Sequence, residues 1–461
     1  MRLTLLSVLF AATAQAAPPP APPADTLLSE TLTQVSPARL QARIERLAAF
    51  GTRHTASSQS HPTRGIGAAW RWIEAELRAC AAGTPLQVDT RRHTEPPGRR
   101  IAAPTEIVNV VATLPGRAGT QRVLLMLGHY DSRNSDVMDA EGDAPGANDD
   151  ASGTVAVMEA ACLAAQAAKT RPLDATIVFA AVAGEEQGLL GAAQLAREFD
   201  AGAGVEGVIT NDIVGSPRGA LGEHAPHTLR LFADGLDPLL RLMLRGANAE
   251  THPRLKAQQE LAAAGGAEDL PTAQFGRHLQ RAVEAYVPGF QVNLIQRRDR
   301  TLRGGDHLPF LERGLAAVRF SEPFENYAHQ HQNVRVENGQ RFGDLPEFVD
   351  PAYVARVAQA NLAGLLSLAW APAPPAEVRV DARELSNDTR LQWAPVAGAS
   401  GYRVLWRRSE AAQWQQALDL GPQAREALLK GVSRDDWVFA VQALGARGEA
   451  GLAVYAPPRG N

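Results

Sequence analysis

Cysteine is almost missing from this chain. Only Cys80 and Cys162 occur in 461 residues, which excludes a scaffold held by several disulfides. In an oxidising compartment the two could bridge if their Cα atoms come within about 4.4–6.8 Å. Both fall in helical patterns, AAWRWIEAELRAC and TVAVMEAACLAA, so two unpaired helix-packing thiols fit equally well. There is no run of Lys or Arg, the arginines are dispersed, and the formal net charge is only −4. That argues against nucleic acid or an anionic membrane surface as the main partner. No segment beyond the N-terminus is long and apolar enough to cross a bilayer, so no transmembrane segment is expected.

The hydrophobic share is 45% and the charged share 21%, the balance of a soluble globular protein. This length allows two or three domains, one with a large core. Residues 1–16, MRLTLLSVLFAATAQA, read as a signal peptide: Arg2, an apolar stretch from Leu3 to Ala14, then Ala14-Gln15-Ala16 as cleavage site. The expected localisation is export, to the periplasm or as a secreted protein. Residues 17–36 begin APPPAPPA and read as a Pro-rich linker, and 371–376, APAPPA, as a second one.

Between the linkers, over 37–370, strand and helix patterns alternate. Strands are predicted at Ile107–Leu114, Arg122–Gly128, Ala175–Ala183, Val208–Ile213, Leu229–Ala233, Gln291–Ile295 and Ala316–Phe320. Helices are predicted at Pro62–Cys80, Ser152–Ala167, Leu189–Phe199, Pro238–Asn248, His307–Arg313 and Ala352–Leu368. This order implies an α/β fold, a mostly parallel sheet flanked by helices. Chemistry in such sheets gathers at the carboxyl ends of the strands. Residues 377–461 change texture to short alternating segments, VRVDA, TRLQWAPV, GYRVLWRR, QWQQAL and WVFAVQAL, which predict an all-β sandwich.

The candidate chemistry lies at those strand ends. VLLMLGHYDS closes a buried strand with His129, and Asp131 follows as a carboxylate able to orient the imidazole. PGANDDASG delivers Asp149 and Asp150 from a Gly-rich turn into a helix. There Asp150 or Ser152 would cap the amides and Asp149 would reach a metal. A strained Asp149–Asp150 peptide would suit such a site. In IVFAAVAGEEQGLLGA an apolar strand ends directly in Glu185 and Glu186, two acids that need cations or a proton to coexist. GVITNDIVG ends another strand in Asp212. Each motif alone has a plain structural explanation as cap, turn or helix-start acid.

Taken together, HYDS, PGANDDASG, AGEEQGLLGA and TNDIVG resemble the M28 family of co-catalytic zinc aminopeptidases, in family order over about residues 37–370. GGDHLPFLERGLAAVRFSE resembles a further family block, with Gly305 in place of the usual Ser. Asp306 is a supporting candidate there that would also cap a helix at His307. The resemblance implies a phosphorylase/hydrolase-like zinc exopeptidase fold and two Zn²⁺ per chain. His129, Asp149, Glu186, Asp212 and a last histidine would be the ligands, with Asp149 shared and Glu185 the general base. In ENYAHQHQNV the family spacing, counted back from Asn333, selects His329, with His331 as the alternative ligand. The family's Tyr before that histidine is replaced by Ala328, and Tyr327 is one residue early. The C-terminal segments LQWAPVAGASGYRVLWR and DWVFAVQA resemble a fibronectin type III domain, with Trp437 where that family has Tyr.

The implied substrates are peptides with a free N-terminus. A carboxypeptidase, a dipeptidase or a single-zinc glutaminyl cyclase would use the same fold. A different class of reading is an adhesion or binding protein with an inactive peptidase-like domain. In either case the C-terminal domain would be a spacer or would take a carbohydrate or protein partner.

Overall fold

A computed structural model describes residues 17–22, 24–200, 204–237, 240–241 and 253–459. The leader-like residues 1–16 lie outside it, as does most of the helix predicted at Pro238–Asn248. The chain divides into two units, one of Pro22–Ala263 with Ala267–Trp370, the other of Met1–Ala21, Ala264–Gly266 and Ala371–Asn461.

The larger unit is built on an eight-stranded sheet: β1 (Gln87–Glu95), β2 (Thr105–Leu114), β3 (Arg122–His129), β4 (Thr176–Val182), β5 (Gly204–Asn211), β6 (Thr228–Phe232), β7 (Gln291–Ile295) and β8 (Ala317–Ser321). Their order is β1-β2-β4-β3-β5-β8-β6-β7. The central neighbours β4-β3, β3-β5 and β5-β8 are parallel, as is β6-β7. The three remaining pairs are antiparallel. Parallel pairing of β3, β4 and β5 brings their carboxyl ends together, because each strand is followed by a connection that returns over a face. Those strands are near-continuous Val, Ile, Leu and Ala, as burial on both faces requires.

The helix Gly153–Thr170 is apolar all round and packs against β3 and the helix Pro351–Ala369. With the turn before it, Ala147–Thr170 has the length and hydropathy of a membrane span, yet 89% of the apolar window is buried in the fold. Its close approach to β3 depends on Gly128, where a Cβ would lie 2.7 Å from the Gly153 carbonyl carbon. This contact sets the start of the helix beside His129.

Several elements were not evident in the sequence. β1 is a polar edge strand, QVDTRRHTE, with no buried residue. The linker expected over 17–36 contains the helix Thr26–Thr33, capped by Asp25. The amphipathic helices Pro37–Ala48 and Pro271–Tyr286 also went unpredicted. Cys80 and Cys162 form a disulfide with Cα atoms 5.5 Å apart, joining the helices Ile66–Ala81 and Gly153–Thr170. Beyond β8, a short exposed hairpin pairs β9 (Arg335–Glu337) with β10 (Gln340–Phe342).

The smaller unit holds β11 (Arg379–Asp381), β12 (Thr389–Gln392), β13 (Gly401–Arg408), β14 (Gln416–Leu420), β15 (Glu426–Leu429), β16 (Trp437–Leu444), β17 (Val454–Tyr455) and β18 (Pro458–Arg459). They form two four-stranded sheets, β15-β12-β11-β18 and β14-β13-β16-β17. One core draws on both: Val380, Leu391 and Trp393 pack with Tyr402, Val404, Phe439 and Val441. Trp393 and Tyr402 lie with ring centroids 5.5 Å apart. Trp437 packs partly buried against the same core.

Candidate metal centre

Two triads of potential ligands share one carboxylate. His129, Asp149 and Asp212 form the first; Asp149, Glu186 and His331 form the second. In each, the ligand atoms lie within 4.8 Å of one another. His129 Nε2 is 3.2 Å from Asp149 Oδ1 and 3.8 Å from Asp212 Oδ1. His331 Nε2 is 2.8 Å from both Asp149 Oδ2 and Glu186 Oε1.

His129 Nε2, Glu186 Oε1 and His331 Nε2 are buried without an aligned hydrogen-bond partner among the described residues. Such orphaned atoms are costly unless something else satisfies them. Burial disfavours charge on His129, yet Asp131, Asp149 and Asp212 raise its pKa well above the ordinary imidazole value. That excess of negative charge is what a bound cation would balance. Nitrogen and carboxylate donors in two sets of three fit a pair of divalent ions, zinc among them. The residues therefore pass the chemical test for such a centre.

Supporting groups fix the strand ends. Asp150 accepts from the backbone N–H of His129, Gly153 and Ile213, tying β3, the following helix and the segment after β5 to one side chain. It meets the helix start as expected. Ser152 instead sits within helical backbone, donating to Asn148 O and accepting from Val214 N. The Asp149–Asp150 peptide is cis. Asp131 accepts from the N–H of both Glu185 and Glu186 and lies 3.5 Å from His129 Nδ1, whose nearer acceptor is the Asp131 carbonyl at 3.2 Å. Gly184, at φ 79°, makes the turn that separates the strand from the two glutamates.

Glu185 is half-buried beside this cluster. Burial first, then the charges of Asp212, Glu186 and Asp306, raise its carboxyl well above the usual range. Asp306 is buried, its Oδ1 has no aligned partner among the described residues, and burial pushes its carboxyl up to about 7.

The two triads include His331 and not His329. His329 lies outside both triads and stacks on Phe348, ring centroids 3.5 Å apart and planes 4° from parallel. His331 turns inward from a left-handed backbone conformation, φ 51°. The count from Asn333 misleads because Asn333 instead accepts from Ser135. Beyond the β9–β10 hairpin, Asp344 accepts from the backbone N–H of Asn148 and Asp149, both at 2.7 Å. Tyr327 is 64% exposed.

Residues the sequence did not single out complete the surroundings. Arg319, fully buried, contacts Asp212 Oδ2 at 3.0 Å and Asp299 at 3.1 Å. Arg133 Nε donates to Glu186 Oε2 at 2.8 Å. Burial disfavours charge on His331, but Glu186 and Asp149 outweigh it and raise its pKa to about 10. Arg133 NH2 lies 2.6 Å from His331 Nδ1. Glu322 is buried and accepts from Asn148 Nδ2 and Ser216 N. Arg303 pairs with Glu325 at 2.6 Å.

Residues 109–251 match the family model described as peptidase family M28. A probable zinc metalloprotease of Pyricularia oryzae is 44% identical over 450 residues, covering 94% of this chain and 86% of its own length. The chain belongs to peptidase family M28. Another relative, a probable zinc metalloprotease of Leptosphaeria maculans, is 44% identical over 430 residues, covering 92% of this chain and 95% of its own. Among solved structures, LapB from Legionella pneumophila aligns with TM-score 0.52 at 18% identity, covering 77% of this chain and 78% of its own. The LapA aminopeptidase of the same organism aligns at 0.51 and 16%, covering 74% of each. At these identities the likeness is one of fold.

Proposed function

We propose that this M28 member is an exported, zinc-dependent aminopeptidase that removes N-terminal residues from peptides. One observation carries the reading: two imidazoles and three carboxylates converge as two triads sharing Asp149, with Glu185 alongside. His129 and Asp212 would hold one zinc, Glu186 and His331 the other, and Asp149 both. Bound zinc supplies Lewis acidity, polarising the scissile carbonyl, acidifying the attacking water and offering a position for the free α-amine.

Glu185 is the group left to move the proton. It would accept it from the water and return it to the leaving amine. Two nearby cations would oppose the burial and the acidic neighbours that raise its pKa, favouring the carboxylate form a base needs. Asp131 keeps Glu185 and Glu186 diverging by holding both of their amides. Asp344 and Glu322 keep the Asn148–Asp149 segment in register with the other strand ends.

Export is supported by the leader-like residues 1–16 and by the Cys80–Cys162 disulfide, which persists in oxidising compartments. We read the C-terminal sheet pair as a fibronectin type III-like spacer or binding module. Hydrolysis of matched free-amine and N-acetylated peptides, with and without chelator, tests the whole reading. Cleavage of free-amine peptides that chelator abolishes is expected. Equal cleavage of acetylated peptides would exclude an aminopeptidase.

A further inference from the structure

Four polar residues in a row, Thr52-Arg53-His54-Thr55, follow the helix Pro37–Ala48, and all four are buried. Arg53 has no exposed surface. Every acceptor its guanidinium meets among the described residues is a backbone carbonyl. Nε donates to Tyr130 O at 2.6 Å and NH2 to Gly146 O at 2.8 Å, while NH1 donates to Leu47 O at 3.0 Å and to Pro145 O. A buried charge is usually paired with an opposite one. This one instead joins three separate stretches of backbone.

Two of those stretches carry candidate ligands. Tyr130 lies between His129 and Asp131, and Gly146 precedes the turn Ala147–Ser152 that delivers Asp149. The approach is close: a Cβ on Gly146 would lie 2.8 Å from Arg53 NH2 and 2.5 Å from Ser132 Cβ, and its φ of 52° suits glycine. Further hydrogen bonds repeat the join. Arg53 N donates to Ser132 Oγ, Ser132 Oγ to Ala144 O, and Ala144 N to Gly51 O. Residues 133–143 form a loop without a strand between these two stretches. Their spacing is therefore set by the Arg53 contacts rather than by strand register. Asp344 grips the same turn further along, through the amides of Asn148 and Asp149.

We propose that Arg53 is a positioning residue for the metal centre: it holds the Asp149 turn against the end of β3 and so fixes the shared carboxylate relative to His129. This rests on the two-zinc reading. A planar fork with donors on three nitrogens can span several carbonyls at once, whereas a lysine ammonium donates from a single point. Because Asp149 belongs to both triads, loosening its turn weakens both metal positions together. Loss of a ligand confined to one triad, such as His331, weakens one.

Zinc affinity of the full-length Arg53→Lys protein, measured against a competing chelator, tests this without turnover. Circular dichroism checks the fold, and the visible spectrum of the cobalt-substituted protein reports coordination. Both ions should bind about 10–100-fold more weakly than in the wild type, with an altered cobalt spectrum and the fold retained. Arg277→Lys is the control. That arginine is also buried, but it is held by Asp269 and the Glu268 carbonyl. Its substitution should lower the denaturant midpoint and leave zinc affinity and the cobalt spectrum unchanged. If Arg53→Lys does not fold, Ser132→Ala keeps the guanidinium and removes the tie to Ala144. It should weaken both ions together by about two- to tenfold. Wild-type affinity in the variant that folds, loss of one ion alone, or an equal loss in Arg277→Lys overturns the inference alone. A wild-type protein that binds fewer than two zinc ions per chain overturns the two-zinc reading and the inference with it.

Discussion

Three of the five candidate ligands are carried by the ends of sheet strands, Asp149 by the turn before the helix Gly153–Thr170, and His331 by a loop. His129 is the last residue of β3, Asp212 follows β5 directly, and the two glutamates follow β4 after a two-residue turn. Their positions are set by strand register, since β3 pairs with both β4 and β5. His331 sits instead between β8 and the helix Pro351–Ala369, in a stretch whose only described strands are the β9–β10 hairpin. Its inward direction depends on a left-handed backbone and on side chains around it. Strand ends place a ligand through many ladder hydrogen bonds, whereas the loop does so through a few local contacts.

The largest test bears on the strand ends. Glu185→Gln should keep both zinc ions and lower kcat by about 10²–10⁴. Zinc content and peptide turnover on the same sample check this. Retained turnover would remove Glu185 as the base and leave the register argument without its chemical result.

The loop is tested by its two histidines. His331→Ala should reduce zinc toward one ion per chain and cut turnover by about a hundredfold or more. His329→Ala should retain both ions and near-normal turnover, losing only its stack on Phe348, worth about 0.5–1.5 kcal/mol of stability. The reverse pattern would restore the spacing argument over the geometric one.

These same residues show what was legible. His129, Asp149, Glu186 and Asp212 stood out because an apolar strand or a Gly-rich turn ends abruptly in a group that binds cations. His331 did not, because its direction depends on a left-handed loop backbone and because Asn333, the reference for the count, pairs with Ser135. The fold divides similarly. The buried parallel strands are continuous apolar runs, and their predicted bounds fall close to those found. β1 was silent because an exposed edge needs no apolar face. The helices Pro37–Ala48 and Pro271–Tyr286 were hidden by arginines on their buried faces. Arg43 is paired with Glu159, and Arg277 with Asp269. A charge buried by pairing breaks the apolar periodicity that sequence reading depends on.

Asp344→Asn probes whether the loop and the strand ends are coupled. The carboxylate accepts two backbone N–H groups of the Asn148–Asp149 segment, and an amide can accept both only by turning its NH2 away from them. Zinc affinity or turnover should fall by about 10–100-fold, the usual effect of losing a group that orients a ligand. An unchanged value would mean that the strand ends are held in place without Asp344.

The smallest effect concerns the framework beneath both. His278 lies in the helix Pro271–Tyr286 and donates from Nε2 to the Gly364 carbonyl in the helix Pro351–Ala369. Burial, reinforced by Arg281 and only partly opposed by the Gly364 contact, lowers its pKa to about 4 from 6.5. Between those values the unfolded chain binds the proton and the folded one does not, so this group's contribution to stability is complete above pH 6.5 and lost as pH falls toward 4. His307, also lowered to about 4, acts in the same direction. Asp306 and Asp344, raised to about 7 in the metal-free protein, act oppositely as pH rises from 3.8. The raw pH profile therefore mixes opposed slopes, and the difference between the wild type and His278→Gln isolates one of them. Denaturant midpoints measured from pH 7.5 to 4.5 should show the variant gaining on the wild type as pH falls. A constant difference across that range would show that His278 is not held neutral between the two helices.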